Sequence, residues 1–136
     1  MSANFSSTIR FLPVPPPGPA DKLQIEFDCE ISTQVNDLVY QDVLTENKVL
    51  SNVDNTQVQP SIGVVVRKPS PTKCVVLIIG IAEGYTGLTL GSKVFLGTDG
   101  SVTTTKPATD YVQTLGTVVS STQIFFVLNT QRVLQV

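Results

Sequence analysis

The sequence predicts an all-β fold, and three observations predict it. Leu23, Ile25, Phe27, Cys29 and Ile31 alternate strictly with Gln24, Glu26, Asp28 and Glu30, the period-two signature of a strand with one buried face. Turn-forming residues recur roughly every ten positions, the spacing of a sandwich or barrel. No window of a dozen residues carries the spacing of an amphipathic helix. The expected architecture is a compact antiparallel β-barrel or sandwich over residues 22–136. An extended, proline-rich N-terminal arm over residues 1–21 is expected to precede it.

The arm is set apart by Pro13, Pro15, Pro16, Pro17 and Pro19. Proline fixes φ and lacks a backbone donor, so this stretch cannot join a sheet interior and reads as a semi-rigid polyproline II rod. Phe5, Ile9, Phe11 and Leu12 precede the rod. These apolar groups together with Pro13, Pro15, Pro16 and Pro17 form the candidate partner-binding segment. Either the arm docks on a neighbouring molecule or it packs back on its own domain. A third reading, a ligand for a proline-recognising domain through Pro13-x-x-Pro16, rests on a short and common pattern.

Beyond the alternating stretch, Leu38-Val39-Tyr40, Val43-Leu44 and Val49-Leu50 read as short strands, and polar residues 51–60 as a loop or a weak strand. Ile62 to Arg67 reads as a strand stopped by Pro69 and Pro71. Cys74 to Ile81 is a continuous apolar run, which predicts a strand buried on both faces. Gly80, Gly84, Gly87 and Gly91 read as turns and a bulge. Val94-Phe95-Leu96 and Val102-Thr103-Thr104 flank Asp99-Gly100, a hairpin signal because glycine tolerates the positive φ of a tight turn. Val112 to Val119 pairs with Gln123 to Leu128 around Ser120-Ser121, and Gln131 to Val136 supplies a final short strand.

The 136 residues suit a single domain able to bury a core without metal or disulfide help. Charged residues make up 15% of the chain, well below the usual ~25%, so the surface is weakly self-repelling and suited to lying against other proteins. Only Arg67, Lys68 and Lys73 of the nine basic residues lie close together. No basic stripe forms to displace counterions from phosphate, so direct nucleic-acid binding is not expected. Residues 1–20 lack a basic start followed by an apolar block, and no run approaches the ~20 residues that span a bilayer, so no export address or membrane span is expected. Cys29 and Cys74 read as small buried hydrophobes, free thiols in the favoured reading, with a bridge between them as the alternative that sequence does not decide.

Histidine is absent, which removes the usual general base and the commonest zinc ligand. Glu26, Asp28 and Glu30 would line one strand face, where carboxylates can bind calcium or act as a glycosidase pair. A solvated outer face that discourages edge association is the simpler reading. Tyr40, Tyr85 and Tyr111 form no pattern, and partial burial with the hydroxyl at the surface is expected of each. No catalytic, cofactor-binding or metal-binding residue is expected.

Residues 84–107, GYTGLTLGSKVFLGTDGSVTTTKP, resemble a small β module of tailed-bacteriophage virion proteins. In that module a Gly-Leu-Thr-x-Gly turn leads to an aromatic strand, a glycine hairpin, a threonine-rich strand and a proline. A Val-Gln-x-x-Gly step follows, matched here by Val112-Gln113-Thr114-Leu115-Gly116. The similarity covers roughly residues 35–128. It implies a non-enzymatic structural virion protein, foremost a capsid decoration or cement protein that binds the capsid exterior and bridges neighbouring capsomers. The major capsid protein would be its partner, the homotrimer its assembly state, and the host cytoplasm its place of synthesis. A tail-fibre or baseplate host-binding module is the alternative; it would need an exposed aromatic platform at Tyr85 or Tyr111.

Overall fold

The computed structural model describes residues 22–128 and 133–134. The candidate arm residues, Phe5, Ile9, Phe11, Leu12, Pro13, Pro15, Pro16 and Pro17, lie outside the described residues. The described chain is all-β, with eleven strands and no helix. They are β1 (Leu23–Asp28), β2 (Leu38–Gln41), β3 (Val49–Ser51), β4 (Gly63–Ser70), β5 (Lys73–Glu83), β6 (Lys93–Leu96), β7 (Val102–Thr103), β8 (Tyr111–Val112), β9 (Thr114–Ser120), β10 (Gln123–Val127) and β11 (Val133–Leu134).

Nine strands form one antiparallel sheet with the path β3-β2-β4-β5-β10-β9-β6-β7, and β1 pairs with β5 off that path. β8 and β11 form a separate two-stranded ribbon. The sheet curls into a half-barrel rather than closing. The curl has its origin in β5. Val76 and Leu77 pair with Val65 and Val64 of β4 on one edge and with Ile25 and Gln24 of β1 on the other. Ile79 pairs with both Val127 of β10 and Leu23 of β1. β1 therefore runs along one edge of β5, while β4 and β10 share the other in succession. Between Leu77 and Ile79 the register with β1 slips by one residue. This bulge at Ile78 bends the strand and lets its two halves serve two sides of the curl.

Two apolar clusters follow from that bend. The larger gathers Leu38, Val64, Leu77, Ala82, Val94, Leu96, Leu115, Val118, Ile124 and Phe126. The smaller gathers Cys29, Val39, Val49, Val65, Cys74 and Val76. β5 feeds both, so the apolar run from Cys74 to Ile81 is buried on two faces only as far as Leu77. Beyond the bulge the strand alternates, with Ile79 and Ile81 exposed. Phe126 sits directly across from Gly80 on β5 and Gly116 on β9, so its ring lies between two residues without a side chain. A Cβ on Gly116 would stand 2.0 Å from the Phe125 carbonyl oxygen, an approach only glycine allows.

The hairpin at Asp99-Gly100 forms as expected, pairing Leu96 with Val102 and Phe95 with Thr103. Gly100 has φ of 84°, and Gly97 N–H donates to Ser101 O at 2.7 Å. Three expectations need correction. Val43 and Leu44 form no strand, because Asp42 Oδ1 accepts from Leu44 N–H at 2.9 Å and holds the chain in a local turn. β4 does not stop before Pro69 but continues to Ser70. Irregular pairing between Arg67 and Ser70 leaves the proline no ladder hydrogen bond to break. The alternating first strand ends at Asp28, short of Ile31, which lies in an exposed turn.

Candidate binding surface

The first strand departs from expectation in a second way: its apolar side is buried only toward Phe27, which packs on the smaller cluster, and is open at Leu23 and Ile25. Leu23, Ile25, Ile79, Ile81, Val119, Phe125 and Val127 are each between 39% and 49% exposed. Register places them together. Val127, Ile79 and Leu23 form one row across β10, β5 and β1. Ile81, Phe125, Thr117 and Lys93 form the next across β5, β10, β9 and β6. Directly opposed residues stand about 4.5–5.5 Å apart at Cβ, so each row is a continuous strip of side chains. Alternation along β1 and β9 adds Ile25 and Val119 to the same face.

This face is apolar at its centre and polar at its rim, where Glu83 pairs with Gln123 and Thr117 with Lys93. Single exposed apolar side chains are ordinary; a contiguous patch ringed by polar groups marks a contact surface. Other exposed apolar residues, such as Leu44 and Leu90, stand on loops rather than on strands. The alternation of β1 was legible in sequence. The bulge that turns Ile79 and Ile81 outward was not, because Val75 to Ile79 read as one uninterrupted apolar run.

The remaining sequence candidates have local structural roles. Asp28 pairs with Lys73 and Glu30 with Lys48. Each lysine's pKa is raised, chiefly by the hydrogen bond to its carboxylate. Glu30 lies past the end of β1, so the three acids do not form one row. Lys68 Nζ donates to the carbonyls of Ile31 and Thr33, each at 2.7 Å, and of Glu30 at 3.2 Å. It thereby closes the turn after β1.

The three tyrosines are half-buried rather than arrayed as a platform. Tyr85 packs on Phe126 at 6.4 Å between ring centroids. Its hydroxyl is buried without a partner, contrary to the expectation of a surface hydroxyl, and burial pushes its pKa up to about 12. Cys29 and Cys74 are buried and free. Burial, reinforced by the neighbouring Cys29, raises the Cys74 thiol to about 12, so it is a poor nucleophile. An open groove of about 470 Å³ runs beside the 99–100 hairpin, lined by Thr98, Asp99, Thr103, Thr105 and Lys106 among others. Ser101 donates to Asp99 Oδ1 from its hydroxyl at 2.7 Å and its N–H at 3.1 Å. These bonds lower the Asp99 pKa and tie the carboxylate to its own turn. No family model, curated protein or solved structure matches the chain.

Proposed function

We propose that this protein is a non-catalytic structural subunit that attaches to a larger protein assembly through the apolar face of β1, β5, β10 and β9. The observation that carries this reading is the patch itself: seven exposed apolar side chains brought together by strand register. A low charge content lowers the desolvation cost of laying such a face on another protein. Of the three acids Glu26, Asp28 and Glu30, the last two form ion pairs with the surface lysines Lys73 and Lys48.

The assembly we propose is a tailed-phage capsid, decorated on its exterior by this subunit, which bridges neighbouring capsid proteins. The support for that step is the resemblance of residues 84–107 and 112–116 to the virion β module. Within it, Gly100, Gln113 and Gly116 occupy positions that the fold uses.

Cosedimentation with empty capsids of the phage that would carry this chain tests the reading. The full chain is expected to sediment with them. Ile81→Asp and Phe125→Asp, both at exposed positions, are expected to keep the wild-type circular dichroism and lose capsid occupancy at least tenfold. A wild-type chain left in the supernatant overturns the capsid assignment. Unchanged occupancy of both variants overturns the role of the face.

A further inference from the structure

β1 has one edge that pairs with no described strand. Its partner strand is β5, β4 and β10 occupy the far edge of β5, and among the described residues the outer edge of β1 is bridged only at Asp28, in parallel with Lys48. Hydrogen bonds at the end of β1 tell which backbone groups point outward. Cys29 N–H donates to Thr72 O at 2.9 Å, on the β5 side, and Asp28 N–H donates to Asn47 O at 2.8 Å, on the other. Backbone direction alternates along a strand, so the N–H and C=O of Gln24 and Glu26 point away from β5. Both residues are exposed. An edge of this kind, regular and without proline, is a template for another strand.

The chain itself carries a segment suited to it. Phe5-Ser6-Ser7-Thr8-Ile9-Arg10-Phe11-Leu12 contains no proline. Phe5, Ser7, Ile9 and Phe11 fall on one side of an extended chain and Ser6, Thr8, Arg10 and Leu12 on the other. Added to β1, it would set the apolar side chains of Phe5, Ile9 and Phe11 beside Leu23 and Ile25, both exposed. Backbone pairing gives affinity and alternate side chains give register, as in other strand additions.

We propose that the outer edge of β1 receives residues Phe5–Leu12 of a second copy of this chain as an added strand. The argument for a second copy is length and stiffness. Residues 13–21 separate the segment from Lys22, and prolines at 13, 15, 16, 17 and 19 favour an extended path of about 3.1 Å per residue. Such a path would carry the segment away from the edge at which its own chain begins β1. The contact is heterologous, so repetition closes a ring, of which a trimer is one case, or extends a fibre. This inference does not depend on which assembly the apolar face meets.

Mixing tests it with full-length chains. Ile9→Asp/Phe11→Asp disables the donated strand. Glu26→Pro removes an outward N–H while leaving the bonds of Ile25 and Phe27 to β5. In sedimentation velocity the wild-type chain is expected as a closed oligomer and each variant alone as a monomer with unchanged circular dichroism. An equimolar mixture of the two variants is expected to give a two-chain complex, since one intact strand and one intact edge remain. Four results overturn the proposal: a monomeric wild type, an oligomer unaffected by either variant, a mixture that stays monomeric, or variants that bind one another no better than themselves. If the wild-type chain is monomeric yet still sediments with capsids, only this proposal falls.

Discussion

Gln113 pairs with Ser61 as a neighbouring strand would. Its Nε2 donates to the Ser61 carbonyl at 2.8 Å and its Oε1 accepts from Ser61 N–H at 2.8 Å. Both residues are essentially buried. The same pocket holds Ser61 Oγ donating to Asn52 Oδ1 at 2.6 Å. The amide thus satisfies backbone groups of the segment leading into β4, which no ladder reaches. Interactions of this kind are costly to half-remove, because the surviving partners stay desolvated.

Gln113→Leu is therefore expected to destabilise the protein by about 2–5 kcal/mol, since two buried backbone groups lose their partner at once. Urea denaturation followed by circular dichroism measures it. A loss below about 1 kcal/mol would mean that water or a shifted backbone replaces the amide.

How far the sequence reveals such features depends on the distance over which they act. The alternation from Leu23 to Phe27 declares a strand and its two faces, because that period is local. It cannot declare whether anything covers the apolar face, and Leu23 and Ile25 are exposed. Gln113 reads only as one polar position in a motif; its partner lies 52 residues away. Val43 and Leu44 mislead because β-propensity is weaker than the turn that Asp42 closes on Leu44 N–H. The hairpin at Gly100 was legible because its turn chemistry sits in two adjacent residues.

Tyr85 and Cys74 predict the alkaline limb of the stability curve. Both are held uncharged by burial, with pKa values of about 12, against ordinary values of 10.0 and 9.0. Unfolding lets them ionise from their ordinary values, so the unfolded state binds fewer protons in that range. Their contribution is intact below pH 9 and is lost progressively as pH rises from 9 through about 12. Tyr85→Phe is expected to leave stability at pH 7 unchanged or higher, because it removes a buried hydroxyl without a partner. It is also expected to flatten the decline above pH 10.0. Chemical denaturation across pH 7 to about 11 compares the two chains. A wild-type slope retained in the variant would assign the decline to other groups.

Gly116 and Gly80 flank Phe126 on its two neighbouring strands, yet they should respond differently to alanine. A Cβ at Gly116 meets backbone alone, with Phe125 O at 2.0 Å and Phe126 Cα at 3.0 Å. Relief requires β9 and β10 to separate, so Gly116→Ala should cost about 1–3 kcal/mol or more by overpacking and lower the global unfolding midpoint. At Gly80 the nearest atom is Lys22 Cβ at 2.5 Å, and φ is +139°. Strain there falls on the residue that leads into β1, where few buried contacts hold the strand. Gly80→Ala should therefore speed hydrogen exchange at the Leu23 and Ile25 amides more than at the amides of β9. Equal acceleration in both strands would mean that β1 opens only with the whole sheet.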